Sequence, residues 1–147
     1  MYVAELWRYP VKSMAGERLR KVNLTPLGLD GDRIVHVENA RGRVVTARTH
    51  PKLLGHRAVL DAQGEPLVDS RPWTDPSVTA DIEHIAGGGA RLVLDNGAAR
   101  FDILPLLVAT DGAIAAFGYN GRRLRPNLVI GGVQGLAERT WEGKSLR

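Results

Sequence analysis

The sequence contains no cysteine among its 147 residues, and it is also poor in aromatic side chains and in lysine. Without thiols the chain has no disulfide, no thiolate zinc or iron–sulfur site and no cysteine nucleophile. No apolar run approaches the roughly 20 residues that a membrane-spanning helix needs, and the first five residues (MYVAE) carry a charge too early for a signal peptide. We therefore expect a soluble cytoplasmic domain with no membrane partner.

The charge balance is basic, and arginine supplies almost all of it. Four lysines and sixteen arginines oppose sixteen acidic residues, which gives a net charge of +4 and a pI near 9.8. The planar guanidinium group of arginine suits phosphate and carboxylate. This composition leaves open a bound polyanion, either nucleic acid or a small phosphorylated ligand, and an ordinary solvated basic surface.

Short strands separated by turns dominate the predicted secondary structure. The pattern of β-branched residues and turn signals favours a barrel or sandwich over a βαβ fold. Strands are predicted at residues 2–11, 19–24, 33–38, 43–46, 57–61, 66–69, 91–94, 106–110, 127–130 and 137–141. Hairpins are predicted to join 33–38 with 43–46 and 57–61 with 66–69. Two short helices are predicted, one starting at Pro76 after a Thr74-Asp75 cap and ending at residues 87–89, the other at residues 112–117.

Four segments carry residues suited to binding an anion. They are residues 9–16 (YPVKSMAG), 28–33 (GLDGDR), 45–51 (VTARTHP) and 122–127 (RRLRPN). Each combines basic groups with hydroxyl, amide or glycine residues near the end of a predicted strand. For the first segment, the alternative to anion binding is an exposed lysine in a turn. For the second segment, Asp32 could orient the Arg33 guanidinium or form an Asx turn.

Other kinds of site receive less support from the residues. The helix after Thr110 offers free N–H groups to an anion, but Asp111 opposes that use. The four histidines have no metal-ligand spacing, and no G-x-S-x-G, H-E-x-x-H or P-loop motif is present. The sequence therefore shows no nucleophile and no metal site.

Taken in order, the motifs resemble the MOSC family, the C-terminal domain of molybdenum cofactor sulfurases, together with its N-terminal β-barrel region. The resemblance rests on residues 9–16, 28–33 and 46–51, then on residues 100–102 (RFD), 104–110 (LPLLVAT), 123–127 (RLRPN) and 138–143 (ERTWEG). It implies a mainly β (α+β) fold: a MOSC-like β-barrel with a few short helices, incomplete at the C-terminus.

The resemblance also implies a ligand and the residues that hold it. Relatives bind the molybdenum cofactor (molybdopterin) through basic and hydroxyl groups of these motifs, and the matching positions here are Lys12, Ser13, Arg33, Arg48, Thr110, Arg123, Arg125 and Asn127. It further implies pyridoxal phosphate binding and a cysteine desulfurase-type partner. In relatives a conserved cysteine beyond the final motif carries sulfur or ligates molybdenum, and no residue here corresponds to it.

These implications define the expected organisation and function. The expected domains are a β-barrel-like region at residues 1–72, a helix and glycine-rich linker at 73–90 and a partial MOSC core at 91–147. The expected function is binding of molybdopterin or a similar phosphorylated anionic ligand without catalysis. The alternatives are a MOSC sulfur carrier or molybdenum oxidoreductase whose cysteine-bearing part is missing, and a basic interaction module. Nucleic acid ranks last as a partner because aromatic residues are few, and unpaired strand edges predict a homodimer.

Overall fold

The computed structural model describes residues 1–95, 97, 100–101 and 103–145, and its strands are short. Asp102, which belongs to the 100–102 motif above, lies outside the described residues, as do Leu146 and Arg147 at the end of the expected partial MOSC core. The strands of the described part are β1 (Tyr2–Arg8), β2 (Glu17–Arg18), β3 (Leu24–Thr25), β4 (Gly28–Leu29), β5 (Val35–Glu38), β6 (Val44–Val45), β7 (Ala58–Leu60), β8 (Pro66–Val68), β9 (Arg71–Pro72), β10 (Arg91–Leu94), β11 (Val108–Thr110) and β12 (Leu128–Gly131).

Two α-helices form where capping residues start them and glycines stop them. In α1 (Pro76–Ala86) the Asp75 side chain accepts the Ser77 N–H, and Gly87 ends the helix with a positive φ. In α2 (Asp111–Phe117) the Thr110 side chain accepts the Ala113 N–H, and Gly118 ends the helix in the left-handed region. Three 3-10 segments cover Pro51–Gly55, Gly121–Arg123 and Ala137–Thr140.

The chain divides into two compact units, each built around its own strands. Unit 1 comprises Met1–Trp7, Arg18–Lys21 and Leu106–Arg147, and unit 2 comprises Arg8–Glu17 and Val22–Pro105. Each predicted domain (1–72, 73–90 and 91–147) is one continuous stretch of chain, whereas each unit combines segments that are separated in the sequence. That domain division stays a prediction.

Unit 2 holds the main hydrophobic core. The strands form a sheet ordered β10–β5–β6, a sheet ordered β7–β8–β9 and the β3–β4 pair. Val35 and Val37 of β5 are fully buried, and they pack in one cluster with Ile82 of α1 and with Val11 and Met14 of the 9–16 segment. Burying one such side chain stabilises the fold by about 1.5–3 kcal/mol, so this core fixes the segment that carries Lys12.

Unit 1 is built on the sheet ordered β11–β12–β1–β2. Strand β1 pairs antiparallel with β12, Leu6 opposite Leu128, with an irregularity between Val3 and Glu5. Strand β11 pairs parallel with β12, Val108 opposite Leu128, and α2 connects the two strands. The sequence favoured a barrel or sandwich over a βαβ fold, so this β–α–β connection was not expected. The two strands are only three and four residues long, and a parallel pair this short has little pattern of its own.

The mainly β class and two helices are confirmed, as are the hairpins β5–β6 and β7–β8. Among the described residues the sheets do not close into a complete barrel. The strand predicted at 137–141 is wrong: these residues form the 3-10 segment Ala137–Thr140, where Arg139 N–H bonds to Leu136 O and no partner strand is present in the described part. The strand predicted at 19–24 is wrong as a single element, because Leu24 pairs instead with Leu29 across a tight turn.

No helix in the described part of the chain is both long enough and apolar enough to pass through a membrane.

Candidate anion-binding site

The segment that carries Lys12 and Ser13 runs beside the segment that carries Arg33, both within unit 2. Arg33 N–H donates to the Tyr9 carbonyl at 2.7 Å, and Lys12 N–H donates to the Val35 carbonyl at 2.8 Å. Backbone hydrogen bonds therefore bring together two of the motifs that the sequence singles out. We call Tyr9, Lys12, Ser13, Asp32 and Arg33 the Lys12–Arg33 cluster.

Asp32 organises this cluster, although it was not among the predicted site residues. It is fully buried, and one carboxylate oxygen accepts the Tyr9 N–H at 2.7 Å. Its other oxygen forms an ion pair with Arg33, whose guanidinium carbon lies 5.3 Å from the centre of the Tyr9 ring. Of the two interpretations left open by the sequence, the structure supports Asp32 as the group that orients Arg33. The sequence had offered this orientation as one alternative for the adjacent Asp32-Arg33 pair.

Lys12 and Ser13 are held from both sides by buried apolar neighbours. Val11 and Met14 are fully buried, while Lys12 is 8% and Ser13 3% exposed. Gly16 ends the segment, and a Cβ at this position would lie 2.1 Å from the Arg8 carbonyl oxygen, so no larger residue fits there. The motif's glycine thus has a packing role, and the lysine and serine are fixed in place rather than carried on a loose turn.

The backbone at three predicted site residues adopts the left-handed conformation. Among the described residues, five non-glycine positions have positive φ: Ser13 (73°), Arg33 (53°), Arg125 (53°), Asp69 (49°) and Ser70 (69°). Asp69 and Ser70 form the two-residue turn between β8 and β9, where positive φ is the rule. Ser13, Arg33 and Arg125 belong to the anion-binding motifs, and such strain concentrates at functional sites.

Arg48 is the fourth predicted site residue in unit 2. It is exposed on the loop between β6 and the 3-10 segment Pro51–Gly55. The hydrogen bonds that join the Tyr9 and Arg33 segments do not involve this loop. A role for Arg48 in ligand binding stays a prediction.

The other four predicted residues, Thr110, Arg123, Arg125 and Asn127, lie in unit 1. Two of them have structural roles. The Thr110 hydroxyl caps α2 and donates to Glu138 Oε2 at 3.1 Å. The Asn127 amide accepts the Leu107 N–H at 3.1 Å and donates to the Trp7 carbonyl at 3.2 Å. Their burial is therefore explained by the fold, without a ligand.

The N-terminus of α2 is already occupied by a carboxylate of the chain. Asp111 accepts the Gly132 N–H at 2.7 Å and the Val133 N–H at 2.9 Å. The hydrogen bond from the Val133 N–H has the largest effect in lowering the pKa of the Asp111 carboxyl, and that from the Gly132 N–H adds to it. Asp111 therefore disfavours an external anion at this end of the helix, as expected from the sequence, because its own carboxylate lies there.

The described geometry defines a β-rich domain in which Lys12, Ser13, Asp32 and Arg33 lie on two adjoining segments, with left-handed backbone at Ser13 and Arg33. Residues 1–100 match the family model described as the MOSC N-terminal beta barrel domain. The match covers more than half of the chain, so the chain belongs to the MOSC N-terminal beta barrel family. The resemblance stated from the motifs is confirmed.

One curated relative adds detail to this assignment. The human protein named Mitochondrial amidoxime-reducing component 1 is 38% identical to this chain over 76 residues, which cover 49% of this chain and 22% of that protein. The aligned region thus spans less than a quarter of the relative. Residues 101–147, compared above with a partial MOSC core, lie outside the family match.

Proposed function

We propose that this chain binds molybdopterin or a similar phosphorylated anionic ligand, with Lys12, Ser13 and Arg33 holding the phosphate. The observation that carries the proposal is the left-handed backbone at Ser13 and Arg33. A non-glycine residue in that conformation costs about 1–2 kcal/mol. Ser13 is the third residue of a turn closed by the Met14 N–H and the Val11 carbonyl, a position that glycine would fill without this cost. The presence of serine and arginine rather than glycine at these positions is explained if their side chains bind the phosphate.

The charges of the cluster suit a phosphate monoester. Lys12 and Arg33 supply two cations, and Asp32 forms an ion pair with Arg33. The Lys12 side chain is nearly buried, so its attraction to an anion is less weakened by water than on an open surface. The Ser13 hydroxyl adds a neutral donor of the kind that phosphate oxygens accept.

The residues present fit the phosphate end of the molybdenum cofactor. Lys12, Ser13 and Arg33 would hold that phosphate and so orient the pterin. The bound cofactor would supply redox chemistry at its metal. This chain contributes no thiolate ligand to molybdenum because it contains no cysteine, so the proposal assigns it binding without catalysis.

The test is calorimetric titration with a pterin that carries a phosphate monoester and with the same pterin lacking the phosphate. We expect the wild type to prefer the phosphorylated form. Lys12→Met keeps the apolar stem and removes the ammonium, and should weaken binding of that form about 10-fold or more, since a hydrogen bond to a charged group is worth about 1.5–3 kcal/mol.

Lys52→Met is the matched control, because Lys52 lies in the same unit but is exposed in the 3-10 segment Pro51–Gly55. It should bind both pterins as the wild type does. Equal affinity of the wild type for the two pterins, or of Lys12→Met and the wild type for the phosphorylated one, would disprove the assignment.

A further inference from the structure

The two units differ sharply in charge. Unit 1 contains nine lysines and arginines against four aspartates and glutamates, a net charge of +5, whereas unit 2 contains eleven against twelve, a net charge of −1. The whole basic surplus of the chain therefore belongs to the smaller unit. A charge asymmetry of this kind indicates a polyanionic partner for the basic part.

Unit 1 also carries arginines beside aromatic rings, which we call the arginine–aromatic strip: Arg122 with Trp7, and Arg123 with Tyr119 and Phe117. The Arg122 guanidinium carbon lies 5.2 Å from the centre of the Trp7 ring, and that of Arg123 lies 5.3 Å from the centre of the Tyr119 ring. The Tyr119 and Phe117 rings meet edge to face with their centres 5.3 Å apart.

The strip is open to solvent along most of its length. Tyr119 is 64% and Phe117 39% exposed, and both arginines are exposed. Local structure orders it: the Asn120 side chain caps the 3-10 segment Gly121–Arg123, which holds the two arginines in succession. At the other end, the Trp7 indole N–H donates to Glu5 at 2.6 Å, so the ring is fixed and the nearest carboxylate lies at its edge.

We propose that the arginine–aromatic strip binds single-stranded nucleic acid. Exposed rings offer flat faces on which unpaired bases stack, and guanidinium groups between them contact the phosphates. Both the charge of unit 1 and the alternation of rings and cations fit this partner. Aromatic residues are few in the sequence, but this part of the fold gathers three of the eight beside two arginines.

Three other polyanions share the charge requirement but not the stacking requirement. A duplex or inorganic polyphosphate presents phosphates without accessible base faces, and an anionic lipid surface presents headgroups. The rings of the strip distinguish these cases, because stacking contributes only where the ligand has an exposed aromatic face. The proposal is independent of the Lys12–Arg33 cluster, which belongs to unit 2.

The experiment measures fluorescence anisotropy of a short fluorescein-labelled oligothymidylate across a range of salt concentrations. Arg122→Gln should weaken binding and reduce the salt dependence by about 0.7 in log K per log salt, the value for one phosphate contact on a single strand. Tyr119→Leu should weaken binding about fivefold or more and leave the salt dependence unchanged.

Two controls match these variants. Arg41→Gln removes an exposed arginine from unit 2, and Tyr2→Leu removes a tyrosine that is 66% exposed at the opposite end of β1 from Trp7. Both should bind as the wild type does, and the matched duplex and polyphosphate should bind more weakly than the oligothymidylate. Unchanged binding by Tyr119→Leu, equal binding of polyphosphate, or binding only to phosphatidylserine vesicles would overturn the proposal.

Discussion

Replacing Ser13 with glycine separates the stability of the fold from its proposed binding. Ser13 has φ 73° and is 3% exposed, between the fully buried Val11 and Met14. Glycine adopts this backbone without the steric penalty of a Cβ, so Ser13→Gly relieves strain while removing the hydroxyl. If the hydroxyl is retained for a ligand, the variant should be more stable and bind less well.

The expected gain in stability is the balance of two opposing effects. Removing the Cβ relieves the strain of the left-handed backbone, which stabilises the folded state by about 1–2 kcal/mol. Glycine also gives the unfolded chain more freedom, which costs about 0.4–1 kcal/mol. The free energy of unfolding should therefore rise by about 0.8 kcal/mol, the midpoint of a range from about 0 to about 1.6 kcal/mol. Loss of one hydrogen bond to a phosphate should weaken binding about 10-fold or more.

Ser70→Gly is the matched control, since Ser70 has φ 69° in the exposed turn between β8 and β9. Urea unfolding should show a similar gain for both glycine variants, and calorimetry with the phosphorylated pterin should show weaker binding for Ser13→Gly alone. If Ser13→Gly binds like the wild type, the hydroxyl is not a ligand donor. If it destabilises the protein while Ser70→Gly stabilises it, the hydroxyl serves the fold.

Two further predictions concern unit 1. Gly112→Ala places a Cβ 2.2 Å from the Gly135 carbonyl oxygen and should lower the free energy of unfolding by about 1–3 kcal/mol; in urea unfolding Gly88→Ala, with nothing within 4 Å of its Cβ, should not show this loss. The lowered pKa of Asp111 means that its contribution is present above its unfolded pKa and lost as pH falls through the folded value, below 3.8. Asp111→Asn should therefore flatten the loss of stability below about pH 4, and an unchanged acid profile would contradict this.

The elements that the sequence predicted best are those with strong local signals. Helix α1 begins at Pro76 after Asp75 and ends before Gly87, as its cap, proline and glycine indicate. The β5–β6 hairpin forms around a turn in which Asn39 Oδ1 accepts the Arg41 N–H at 2.9 Å. Each of these features is decided by residues close together in the sequence, so pattern alone suffices.

The features that the sequence missed depend on contacts between distant segments. The parallel β11–β12 pair consists of very short strands whose pairing is decided by tertiary packing. The residues of the 9–16 and 28–33 motifs were identified as candidate donors, with orientation of Arg33 by Asp32 as one of two alternatives. The left-handed backbone at Arg33 was not predicted, because arginine has no local preference for that conformation. The arginine–aromatic strip joins Trp7 to Arg122, which no window along the chain can reveal.

The pairing of β1 with β12 has a consequence for the order of events during synthesis. Tyr2 lies opposite Gly131, so β1 can pair with β2 early in synthesis, whereas its other neighbour in the sheet, β12, is made much later. The strand pairs of unit 2 are complete once residue 94 has emerged. Because domains fold as units during translation, unit 2 should gain protection from a protease on stalled nascent chains while Tyr2 to Trp7 remain accessible.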